Sequence, residues 1–299
     1  MGFRRGFLSF FLSFLLILCL FVLGIITSIS LTILNPQFVT SELDKLDIYS
    51  AVTDTFASQL QIEGAREVID TIITDLKPWL KEQKNTVIYK GYSYLKGNQE
   101  LNIVIHLEQL KLTLKENLSV YASTLLPPEL AGVSEDFIEI YMKEAFNEID
   151  TLIPERFEIT EASLSSEITT VLHQAKQIVS YIKLAYVLSV VLSIIMILLI
   201  AIIHNWQTKP LARFIGTSFT TVGITTAIVV IIVRASNIIA DLFAHYNEII
   251  PTLQEKLTPL ITEITTPLLI YSIAFLVTGI ILVMLSFLVK STEYKKVLM

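Results

Sequence analysis

Four stretches of about 20 residues or more contain no Asp, Glu, Lys or Arg, which limits what this chain can fold into. They run from Phe7 to Asn35, Leu184 to Ile203, Phe214 to Val233 and Pro267 to Val289. At 1.5 Å per residue each is long enough to cross a ~30 Å hydrocarbon core as an α-helix. Lipid offers the backbone no hydrogen bonds, so a helix that satisfies its own amides is the form expected there. Charged residues make up 17% of the chain, against about 25% in soluble domains.

Charge outside the stretches sets the orientation. The N-terminus carries Arg4 and Arg5, the segment between the second and third stretches carries Lys209 and Arg213, and the tail carries Lys290, Lys295 and Lys296 with one acid, Glu293. Basic loops stay in the cytoplasm. The expected order is a cytoplasmic N-terminus (1–6), a first span (7–34), an extracytoplasmic domain (35–183) ending in a stalk (161–183), and a second span (184–203). A cytoplasmic loop (204–213), a third span (214–233), an extracytoplasmic helical hairpin (234–266), a fourth span (267–289) and a cytoplasmic tail (290–299) follow. The first apolar run is too long for a signal-peptide core and reads as an uncleaved anchor. The one cysteine, Cys19, lies inside it, so no intrachain disulfide can form. An outer domain without disulfides points to a prokaryotic plasma membrane, with both termini cytoplasmic.

The outer segments read as helices. Leu43, Leu46, Tyr49, Val52, Phe56 and Leu60 recur at three- and four-residue steps. Pro78 suits the first turn of a new helix, and Gly97-Asn98 is a break. Leu101, Ile103, Ile105 and Leu107 alternate along a short strand, with Phe157 and Ile159 on its partner. A helix is expected from Gln109 to Leu125, then another capped by Ser134.

Leu164, Ile168, Val171, Ala175, Ile178 and Ile182 are spaced 4, 3, 4, 3, 4, a coiled-coil seam. No Gly or Pro parts it from the second span, so one helix is expected from near Glu161 to near His204, its seam facing other outer helices. Pro251, Pro259 and Pro267 recur at eight-residue intervals, and each is expected to kink or restart a helix.

Enzyme motifs are absent: there is no Gly-x-Ser-x-Gly, no His-Glu-x-x-His and no phosphate-binding glycine loop. His106, His173 and His245 share no ligand spacing, so neither a metal nor a cofactor is expected. No basic patch suits nucleic acid. Ten acids against Lys143 and Arg156 between Ser134 and Glu167 read as a solvated helix face rather than a cation site. Asn117-Leu118-Ser119 is a glycosylation sequon.

The third span differs from the others. Gly216, Thr217, Ser218, Thr220, Thr221 and Gly223 crowd its first half. Small residues let helix backbones approach, and threonine hydroxyls also suit a water-filled lining. Packing is the favoured expectation, with Gly24 and Gly279 as partners.

The fold expected is an all-α membrane protein. It has four transmembrane helices, a mainly α-helical extracytoplasmic domain with a helical stalk, and one short two-stranded β element. The function expected is non-enzymatic: the outer domain binds a protein partner, or another copy of the chain, or scaffolds a membrane complex. The alternative is a pore or transporter subunit, lined by the third span after oligomerisation.

Overall fold

A computed structural model describes residues 2–45, 65–125, 135–236 and 251–288. The protein is mostly helical (86%), with one two-stranded sheet. It divides into two compact units, Met1–Phe38 with Ile178–Met299, and Val39–Gln177.

The helices are α1 (Gly2–Leu31), α2 (Pro36–Lys45), α3 (Ala65–Leu95), α4 (Glu108–Leu125), α5 (Glu135–Leu152), α6 (Ser166–Ile203), α7 (Thr208–Ala235) and α8 (Pro251–Leu288). Strand β1 (Asn102–His106) precedes α4, and β2 (Arg156–Thr160) follows α5. Four helices are long and apolar enough to cross a membrane: Gly6–Leu31, Ser166–Ile203, Thr208–Ala235 and Pro259–Leu288.

In the first unit small hydroxyl side chains are buried and large apolar ones are exposed. On α1 Ser9, Ser13 and Ser28 are buried beside Leu12, Leu16 and Leu20, while Phe7, Phe10, Phe14 and Leu18 are exposed. On α8, Ser272 and Ser286 are buried, and Ile273, Val277 and Met284 are exposed. Water solvates such a continuous apolar exterior poorly, whereas lipid tails solvate it well. Leu12, Leu16, Leu20, Ile200 and Val222 form the apolar core.

The turn between α6 and α7 is tight. The Trp206 amide donates to the Ala201 carbonyl (2.8 Å), and the Asn205 amide to that of Ile202 (3.0 Å). This pair of bonds is a Schellman cap, with Asn205 at φ 49° where glycine is usual. Trp206 is also left-handed, at φ 59°.

In the second unit, β1 and β2 pair antiparallel, with Ile103 opposite Ile159 and Ile105 opposite Phe157. The strand pair expected from the alternation is therefore present. Its inner face joins Tyr94, Leu101 and Ile103 in a core against which Val87, Leu164 and Leu172 pack. Gly97, at φ 75°, ends α3. There the Asn98 amide reaches the Ser93 carbonyl (3.0 Å) and the Gly97 amide that of Tyr94 (2.9 Å).

Two expectations need correction. Pro78 starts no new helix but lies inside α3, where it removes only one donor from a ladder held by the bonds on either side. Of the three later prolines, Pro251 opens α8, while Pro259 and Pro267 lie inside it and restart nothing. The α-helix leading into the second span begins at Ser166, because Leu164 is extended (φ −92°, ψ 152°). The Ser165 hydroxyl then accepts from the Ile168 amide (3.4 Å). Most of the helix expected between Leu43 and Leu60, the Ser134 cap, and the turn of the 234–266 hairpin lie outside the described residues.

Candidate functional site on α7 and α8

The Gly- and Thr-rich face of α7 is divided between two surroundings. Gly216, Thr220 and Gly223 point to α8. A Cβ on Gly216 would stand 2.9 Å from the Val283 amide nitrogen, and one on Gly223 would stand 2.7 Å from that of Leu276. A Cβ on Gly279 would lie 2.5 Å from the Thr220 amide nitrogen. Real Cβ atoms do not approach so closely, so these glycines are what lets the two backbones meet. The Ser272 hydroxyl closes the contact by donating to the Gly223 carbonyl (2.7 Å).

Thr217 and Thr221 lie on the exposed side, as does Thr225 one turn on. Their neighbour Thr220 donates within the helix to the Gly216 carbonyl (2.9 Å), and Thr221 to that of Thr217 (2.9 Å). Ser218 is buried and lies 3.5 Å from the Ser13 carbonyl of α1.

Gly24 meets α8 rather than α7. A Cβ there would stand 2.6 Å from the Tyr271 ring, whose hydroxyl donates to the Leu20 carbonyl (2.7 Å).

At the far end of α7, Arg234 reaches across to α8. Its Nε donates to Thr265 Oγ1 (2.8 Å), and its Nη2 to the Thr262 carbonyl (3.0 Å) and Thr266 Oγ1 (3.0 Å). Nothing in the spacing of the sequence marks this residue; it reads as an ordinary flanking charge. At the opposite end, His204 Nε2 and the Ser9 hydroxyl are 2.9 Å apart, and the imidazole stacks on Phe214 with ring centroids 5.0 Å apart. That pairing joins residues 195 apart in sequence, so it too was not legible.

The six seam residues do not share one environment. Ile168, Val171 and Ile178 are 50%, 62% and 56% exposed. Leu164, Ala175 and Ile182 are half-buried. The inward line of α6 instead passes through Leu172, Ala175, Val179 and Ile182, half a turn or less away. Leu172 takes the place on the second unit's core that the seam gives to Val171.

The acids of the 134–167 segment are partly paired. Asp150 accepts from Lys115 (2.7 Å), and Lys111 lies 3.9 Å away. The Lys115 ammonium holds the Asp150 carboxyl below its usual range. Glu161 is likewise held low, first by the Tyr94 hydroxyl beside it and then by His173, whose Nε2 is 3.5 Å away. Burial, aided by Glu161, pushes the Tyr94 hydroxyl up to about 12. Lys176 stands 4.5 Å above the Tyr94 ring.

Among the described residues no group of three His, Cys, Asp or Glu is placed to hold a metal ion, and His245 lies outside them. The sequon asparagine, Asn117, is buried, and its amide nitrogen donates to Asp75 (3.2 Å) and to the Thr113 carbonyl (3.0 Å). That nitrogen is not presented for glycosylation in the folded protein.

No family model, curated protein or solved structure matches this chain.

Proposed function

We propose that this is a non-enzymatic protein of the plasma membrane, with both termini cytoplasmic and residues 35–183 and 234–266 on the outer side. Its outer helical domain binds a protein partner, or holds a membrane complex together, through the exposed seam of α6. One observation carries this proposal. Ile168, Val171 and Ile178 are apolar, half or more exposed, and on one helix that continues into a span. Exposed apolar residues aligned at heptad spacing are what a partner helix covers. The basic bias of the other three segments supports the orientation.

Photo-crosslinking in native membranes tests it. A crosslinking residue at Val171 or Ile178 is expected to give a discrete protein adduct, and one at the inward Leu172 is expected to give none. Absence of adducts at both exposed positions contradicts the proposal.

A second reading rests on Thr217, Thr221 and Thr225, which lie exposed at four-residue steps along α7. In a ring of several chains they would line a pore. Solute flux through reconstituted vesicles, lost on Thr221→Leu, favours that reading over the first.

A further inference from the structure

We infer that Arg234, on its ridge of α8 threonines, binds the phosphate of a phospholipid headgroup. Three helices place this residue in depth. On α7 it directly follows the uncharged run that ends at Val233. On α8 it faces Thr262, Thr265 and Thr266, the last residues before the uncharged run from Pro267. On α1 the Ser28 hydroxyl donates to the Ile264 carbonyl (3.2 Å), so the last turns of the first span lie beside this level. Polar and apolar segments thus change over together on α7 and α8, at the level where a bilayer holds its phosphates.

The guanidinium is fixed but not neutralised. Nε and one Nη are spent on α8, and among the described residues no carboxylate pairs with it and its Nη1 has no partner. The acid nearest in sequence on the facing ridge, Glu263, forms no ion pair with Arg234 among those residues. A guanidinium whose plane is locked by two threonine hydroxyls holds its two remaining donors, both on Nη1, in a fixed direction, and a phosphate oxygen can accept from them in a charge-assisted bond. A lysine would place a point charge there without that fixed orientation. The Thr265 and Thr266 hydroxyls themselves donate into α8, to the Ile261 carbonyl (2.8 Å) and the Thr262 carbonyl (2.7 Å). Their oxygens therefore remain acceptors for the guanidinium, and the ridge orients Arg234 rather than competing with it.

Native mass spectrometry of the full chain in mild detergent tests this, with phosphatidylglycerol or inorganic phosphate added in separate arms. The wild type is expected to retain one phosphatidylglycerol, Arg234→Gln roughly tenfold less, and Arg234→Lys an intermediate amount. Arg213→Gln, at the other end of α7, is expected to match the wild type. A thermal melt without lipid shows whether Arg234→Gln is folded. If it is not, the Thr265→Val, Thr266→Val double variant replaces it and is expected to reduce retention while keeping the charge. Equal retention by the wild type and a folded variant overturns the site. Displacement of the lipid by inorganic phosphate at equal concentration overturns the headgroup assignment.

Discussion

Thr220 and Gly279 are in backbone contact: a Cβ on Gly279 would fall 2.5 Å from both the amide nitrogen and Oγ1 of Thr220. The same antiparallel register links Gly216 to Val283, Gly223 to Leu276 and Arg234 to Thr265. It therefore holds over about 18 residues, or roughly 27 Å of helix. Without a hydrophobic drive between helices in lipid, such close packing and the hydroxyl bonds across it are what hold a helix pair together.

Gly279→Ala is expected to lower stability by about 1–3 kcal/mol, because the methyl has rigid backbone in its way. Gly91→Ala is the control: a Cβ there meets nothing within 4 Å, and glycine inside a helix costs about 0.5–1 kcal/mol. Gly91→Ala should raise the melting temperature and Gly279→Ala should lower it. Melts in detergent that move the same way would contradict the helix contact.

Thr220 and Thr221 are adjacent in sequence but opposite in role. Thr220→Leu forces a branched side chain against Gly279 and is expected to destabilise the fold, whereas Thr221→Leu adds apolar surface to an exposed face and is expected to leave the melt unchanged. Comparison of the two melting temperatures checks this.

On α6, Leu172→Asp is expected to cost several kcal/mol, since it puts an unpaired charge against the core around Tyr94. Val171→Asp is expected to cost little stability and to abolish the crosslinked adduct proposed above. A larger stability loss for Val171→Asp would restore the seam as an internal contact.

Asp44, Asp150 and Glu161 all have carboxyls held below their ordinary values, Asp44 chiefly by its bond to Lys84. A carboxylate with a lowered folded pKa contributes stability above its unfolded value, and that contribution is lost as the pH falls through the folded one. The unfolded values are 3.8 for aspartate and 4.5 for glutamate. The melting temperature should therefore be insensitive to these groups from about pH 7 to 5 and decline below about pH 4. In Asp44→Asn that decline is expected to be shallower.

How much of this was legible in the sequence depended on the range of the cause. The four spans and the strand pair follow from local patterns: charge-free runs, and the alternation of Ile103 and Ile105 matched by Phe157 and Ile159. The direction of the α6 seam did not follow, because Leu172 and Val179 repeat at the same period one residue further on. Spacing alone does not choose between two such lines. Pro78 does not open a helix, because a proline ends one only where nothing else holds it. Arg234 and His204 were hidden because their partners are reached through the fold; Ser9 and His204 are 195 residues apart.

Cysteine accessibility in intact cells tests the central claim, a four-span protein with its helical domain outside the membrane. In a Cys19→Ser background, an impermeant thiol reagent is expected to label cysteine at Glu144 and at Gln254, and to spare one at Lys295 until the cells are opened. Labelling of position 295 alone in intact cells would contradict the account, because it inverts every segment together.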